Sequence, residues 1–123
     1  RSFRGNLKGD TPRDWRQSMY YRYWTHHKIR PAHMGIRNHR YKLMFLYGDP
    51  LNATGSDKAP VTPSWEFYDL LADPHEDHNV YGSPTYAGEI EKMKRELLKL
   101  RREVGDTDAA TPRMQEILDE YYW

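Results

Sequence analysis

With 123 residues, a mean hydropathy of -1.03 and 30% charged side chains, the chain is long enough for one domain but poor in the aliphatic residues that usually fill a core. Its 19 basic and 18 acidic residues leave a net charge of +1, which excludes recruitment of nucleic acid or an anionic membrane by a whole-molecule field. Cysteine is absent, so disulfides, thiolate metal sites and cysteine nucleophiles are excluded together, and the redox compartment stays open.

Aromatic bulk replaces the aliphatic: 14% of residues, with 10 Tyr and 4 Trp, predict a core of a few large rings whose polar tips stay wet, or one completed against a partner. No apolar run approaches the roughly 20 residues of a membrane span, and no signal-peptide apolar region opens the chain. The first residue is Arg1 rather than Met, so the sequence reads as an excised segment whose missing targeting signals carry no information.

In chain order, residues 1–17 alternate basic residues with Gly5, Gly9 and Pro12 and predict a linker or surface arm. Ser18 to Trp24 predicts a first strand, with Met19, Tyr21 and Tyr23 on one face and Tyr20, Arg22 and Trp24 on the other. The strongest strand follows: Tyr41, Leu43, Phe45 and Tyr47 alternate with Lys42, Met44 and Leu46. With Met34 to Arg37 before it, this predicts a β-hairpin turning at Asn38-His39, where Asn tolerates the left-handed backbone of a tight turn. Residues 48–63, with Pro50, Gly55, Pro60 and Pro63, predict an irregular and mobile loop, and Ser64 to Leu70 a last strand.

After a dense turn at Asp73-Pro74, Ser83 and Pro84 predict the cap and first position of a long helix with the apolar stripe Tyr86, Ile90, Met93, Leu97, Leu100 and Val104, closed by Gly105. A shorter helix is predicted from Pro112, with Met114, Ile117, Leu118 and Tyr121 as its stripe. The fold class is therefore α+β: an antiparallel sheet of about four strands, one long C-terminal helix packed on a face, and a short terminal helix.

The residues offer little catalytic chemistry. There is no Gly-x-Ser-x-Gly elbow, no phosphate-cradling glycine loop and no His-Glu-x-x-His. The tightest histidine cluster, His75 and His78 among Asp73, Glu76 and Asp77, matches no helical zinc spacing because Pro74 interrupts it. His26, His27, His33 and His39 read one by one as surface or capping residues before they read as ligands. Basic residues interleaved with aromatics over Arg16 to Trp24 and Arg37 to Tyr47 could stack single-stranded nucleic acid, but Leu43 and Met44 stand where RNA-recognition strands need small residues.

Three ordered stretches resemble one family. Pro31-Ala32-His33-Met34-Gly35-Ile36-Arg37-Asn38-His39-Arg40-Tyr41-Lys42-Leu43 is similar to the hairpin of the C-terminal subdomain of type I, formylglycine-dependent sulfatases. Trp65-Glu66-Phe67-Tyr68-Asp69-Leu70, with Asp73 to Asn79 behind it, resembles that family's last strand and turn. Ser2-Phe3, Leu7-Lys8-Gly9 and Asp14-Trp15-Arg16 resemble the junction with the catalytic domain. The resemblance divides the chain into a junction at 1–17, a sulfatase-like subdomain at 18–105 and a variable helical tail at 106–123.

It implies a parent that hydrolyses sulfate esters or sulfamates, on sulfated glycans, in the periplasm or outside the cell. Formylglycine and calcium are implied for an upstream catalytic α/β domain, whose Cys-x-Pro-x-Arg or Ser-x-Pro-x-Arg motif this chain lacks. The segment alone is expected to be inactive, with no catalytic or metal-binding residues of its own. Because the loop before the hairpin approaches the pocket in the resembling sulfatases, His33, then His27 and Arg37, are the expected substrate contacts; charge-assisted donors suit a sulfated, hydroxyl-rich sugar. The alternative is a stand-alone module binding glycans or other polyanions. The first reading predicts an exposed apolar face that docks the catalytic domain, and through which the segment alone would self-associate; the second predicts a closed core.

Overall fold

The computed structural model describes residues 3–123 and contains four strands and two α-helices. Arg1 and Ser2, where the predicted junction begins, lie outside the described residues. Strands β1 (Met19–Tyr23), β2 (His33–Arg37), β3 (Tyr41–Leu46) and β4 (Ser64–Asp69) form one antiparallel sheet in the order β1-β2-β3-β4, each strand paired with the next in sequence.

Register turns the alternation into two faces. Tyr20, Ile36, Leu43 and Phe67 form one cross-strand row, and Arg22, Met34, Phe45 and Trp65 the next. Ile36, Leu43, Phe67, Met34 and Phe45 from these rows are fully buried. Helix α1 (Ala87–Glu103) lies on this face and contributes Ile90, Met93 and Leu97; α2 (Pro112–Tyr121) adds Met114, Ile117 and Leu118 to the same core. The opposite face carries the rows Met19, Arg37, Lys42, Tyr68; Tyr21, Gly35, Met44, Glu66; and Tyr23, His33, Leu46, Ser64. Neither helix contributes to that second face.

Several local expectations are corrected. Asn38 does not adopt the left-handed conformation: its side-chain oxygen instead accepts from the backbone N–H groups of Arg40 (2.9 Å) and Tyr41 (2.7 Å), which closes the hairpin by side-chain capping. Pro84–Tyr86 is a 3-10 turn that leads into α1, and Ser83 makes no side-chain cap. The α1 stripe runs through Lys94 and Arg101, while Val104 is 63% exposed. Arg101 lies one turn beyond Leu97 and can be buried because Asp108 accepts from its Nη2 at 2.7 Å. In α2 the buried ring is Tyr122, four residues after Leu118, whereas Tyr121 faces outward. The loop at 48–63 is irregular as expected, yet buried His26 pins it, donating from Nε2 to the Ala59 carbonyl and accepting at Nδ1 from the Ala32 N–H.

Residues 106–123 belong to the same core as the sheet. Asp106 accepts from Tyr20 Oη and from Arg22 Nη1, the latter at 2.7 Å, so the segment after α1 is tied to β1. At the far end of the sheet, buried Asp69 accepts from Arg40 Nε (3.2 Å) and Nη2 (2.9 Å), from Tyr86 Oη (3.1 Å) and from the Leu71 and Ala72 amides.

Candidate functional site

His33 opens β2, so its ring stands on the face that the helices leave free. Its Nδ1 lies 2.9 Å from the Pro31 carbonyl oxygen. A carbonyl only accepts, so Nδ1 carries the proton, and Nε2 has no partner among the described residues. One ring face stacks on Tyr23 at 5.4 Å between centroids, and Tyr21 presents its edge at 6.0 Å. These contacts hold the imidazole in one orientation. Its backbone-capping role and its availability for a ligand therefore coexist, one on each nitrogen.

Tyr21 can lie beside His33 because its cross-strand neighbour is Gly35: a Cβ there would come within 2.6 Å of Tyr21 Cζ and Oη. The Tyr21 hydroxyl is buried with no hydrogen-bond partner among the described residues. Burial, with the carboxylates of Glu76 and Glu66 nearby, pushes its pKa well above the ordinary phenol value, so it remains an O–H donor. An unpaired buried donor costs about 1–3 kcal/mol.

His27 lies at the same end of the sheet, in a tight turn where its backbone N–H bonds the Arg30 carbonyl (3.1 Å) and its carbonyl accepts from the Arg30 N–H (2.9 Å). Its Nδ1 is 3.7 Å from an Asp57 carboxylate oxygen, and the Lys28 amide at 2.9 Å together with His27 holds Asp57 below the usual carboxylate range. Ile29, at the tip of this turn, is 96% exposed. Arg37 is exposed at the other end of β2, paired through its backbone opposite Lys42, and its guanidinium makes no hydrogen bond or ion pair among the described residues. Four residues of strand separate it from His33, about 13 Å. The fold thus brings His27 and His33 to one end of the sheet and sets Arg37 apart on the same face.

Sequence reasoning missed Tyr21, Tyr23 and Gly35 as the seat of His33. Alternation had already put both tyrosines on one face, but which residues oppose them depends on the register across the irregular loop between β1 and β2. Among the described residues, no group of three or more His, Cys, Asp or Glu is placed to hold a metal ion. His75 and His78 sit in a turn where Asp73 accepts from the Asp77 and His78 amides. No helix of the described residues is long and apolar enough to cross a membrane.

A four-stranded antiparallel meander with one long helix on a face, and a histidine seated on the free face, is a small α+β module. Residues 1–103 match the family described as N-sulphoglucosamine sulphohydrolase, C-terminal, and the chain belongs to that family. An N-acetylglucosamine-6-O-sulfatase of Bacteroides thetaiotaomicron is 35% identical over 99 residues, covering 78% of this chain and 15% of that protein. A solved structure of a protein in complex with its substrate D-glucosamine-2-N,6-O-disulfate superposes with a TM-score of 0.68 at 30% identity, over 87% of this chain and 20% of the other. A phosphonate monoester hydrolase of Agrobacterium radiobacter, at 20% identity and a TM-score of 0.56, shares the fold over 80% of this chain and 19% of its own. The chain spans about a fifth or less of the length of these relatives.

Proposed function

We propose that this chain is the non-catalytic C-terminal part of a sulfatase that hydrolyses sulfate esters on sulfated glycans, and that it serves the substrate pocket through His33. The observation that carries the reading is the seat of His33: Pro31 fixes one nitrogen, Tyr23 and Tyr21 fix the ring, and Nε2 is left for a ligand. When neutral, Nε2 accepts from a sugar hydroxyl; when protonated, it donates to a sulfate oxygen. His27 and Arg37 are further contacts along the same face. The parent's formylglycine and calcium would belong to its upstream catalytic domain and would supply the sulfate-transfer chemistry there.

The free face supports docking on that domain over a self-sufficient module. Met19 is 44% exposed and Tyr21, Tyr23, Met44 and Leu46 are only partly covered, while the buried Tyr21 hydroxyl lacks an acceptor that a docked chain would provide. Export to the periplasm or cell exterior, and self-association of the isolated chain through this face, belong to the same reading.

The test is His33→Ala in the full-length parent. Removing a charge-assisted hydrogen bond worth about 1.5–3 kcal/mol lowers kcat/KM by roughly 10- to 100-fold and leaves Tm unchanged. An unaltered kcat/KM overturns the role given to His33.

A further inference from the structure

On the other side of the sheet from His33, the end of α1, the turn after it and the second half of α2 line a cleft of about 510 Å³, the volume of a small-ligand site. Leu98 and Leu118 line it with apolar surface, and Trp123, 67% exposed, forms a wall. Arg102, Gln115 and Asp119 supply the polar lining. The Gln115 amide donates to Asp119 Oδ1 at 2.7 Å, which fixes a planar amide and a carboxylate side by side.

An aromatic ring beside planar amide, carboxylate and guanidinium groups suits a pyranose: the ring covers the sugar's C–H face while the planar groups exchange hydrogen bonds with its hydroxyls. Charge decides which pyranose. Arg101 and Arg102 face Asp106, Asp108 and Asp119, and Arg101 is already committed to Asp108 at 2.7 Å. Asp106 is likewise committed to Arg22 at 2.7 Å, which leaves Arg102 and Asp119, one charge of each sign, so the cleft offers no net attraction for a sulfate group.

We infer that this cleft is a second, non-catalytic carbohydrate site that holds an unsulfated sugar unit of a glycan. The inference rests on the proposed function for the sugar class alone; the cleft itself is defined without it. Such a site would hold a glycan chain by a unit that the sulfatase does not act on.

The test is an amide and indole NMR titration of the 123-residue chain with N-acetylglucosamine and, separately, with N-acetylglucosamine 6-sulfate. The expected result is shifts at Arg102, Gln115 and the Trp123 indole, saturating in the millimolar range, with the unsulfated sugar at least about threefold tighter. Gln115→Ala and Arg102→Ala, both on exposed helical positions, each weaken that binding by about threefold or more and leave the remaining spectrum in place. Equal or tighter binding of the sulfated sugar, or no shift at these residues by about 50 mM, overturns the inference. Shifts confined to His33 and Tyr23 also overturn it, while leaving the proposed function standing; failure of His33→Ala in the parent has the reverse effect.

Discussion

Lys94 donates from Nζ to the carbonyl oxygen of Tyr122 at 2.7 Å, and the Tyr122 hydroxyl donates back to the Lys94 carbonyl at 2.6 Å. The reciprocal pair joins the middle of α1 to the end of α2. The ammonium lies 4.3 Å from the centroid of the Trp65 ring and 5.2 Å from that of Tyr81, so aromatic faces stand in for a carboxylate partner. Burial holds the Lys94 pKa below its ordinary value.

Tyr122→Ala removes a ring that is 1% exposed, and its expected cost is about 3–5 kcal/mol, read as a fall in the urea midpoint. Tyr122→Phe, which loses only the hydroxyl, costs about 1 kcal/mol. A midpoint unmoved by the alanine variant would mean that the last turn is not part of the core.

Asp106 is the shared acceptor of Tyr20 and Arg22, and Arg101 Nε lies 3.9 Å from it. Burial raises its pKa, but hydrogen bonds from Tyr20 and Arg22 outweigh that and hold it below the usual carboxylate range. Asp106→Ala leaves the buried Arg22 guanidinium without its anion, while Arg101 keeps Asp108, and the expected loss is about 3–5 kcal/mol. The double variant Asp106→Ala with Arg22→Met recovers part of it; additive losses would show that the two residues do not interact.

Gly35→Ala forces the Tyr21 ring to move, because the new methyl would lie 2.6 Å from Cζ and Oη. The ring is partly exposed and can swing outward, so the expected stability loss is modest, about 1 kcal/mol. His33 loses its edge contact, and the parent's kcat/KM falls further than this loss of stability explains. Retention of full activity would show that Tyr21 does not position the imidazole.

Asp69 contributes to the acid sensitivity. Hydrogen bonds from Arg40 lead those that lower its pKa from 3.8 to about 2, with Tyr86 and the Leu71 and Ala72 amides behind them. A folded-state pKa below the unfolded value contributes stability that is present above pH 3.8 and is lost as pH falls through about 2. Asp69→Asn should be less stable at neutral pH and should show a shallower stability decline across that window in acid denaturation. An identical decline would assign the acid sensitivity to other carboxylates.

The strands and the long helix were legible because period-two alternation at Tyr41–Leu46 and the apolar stripe of α1 are local signals. What local signals could not supply was partnership. Arg101 reads as a charge suited to a helix end, and only the fold shows Asp108 folding back to bury it. The strand Met19–Tyr23 reads as two aromatic faces, and only register makes Tyr20 and Arg22 the inner pair and Tyr21 and Tyr23 the support of His33. His33 itself was reachable through resemblance, whereas its seat required three-dimensional pairing. The resemblance stopped before residues 106–123, read as a variable helical tail, and the family match ends at residue 103; packing continues beyond both, with Met114, Ile117 and Leu118 in the core.

The indole nitrogen of Trp65 donates to the carbonyl of Tyr121, a bond spanning 56 residues of sequence, while each strand of the sheet needs only its immediate successor. During synthesis the meander can therefore assemble as it emerges, but the faces of Trp65 and Phe45 stay uncovered until α2 arrives. A ribosome paused before Met114 would hold a half-built domain with both sides of its sheet sticky, and the arrival of the tail seals the core side while the face that carries His33 stays open.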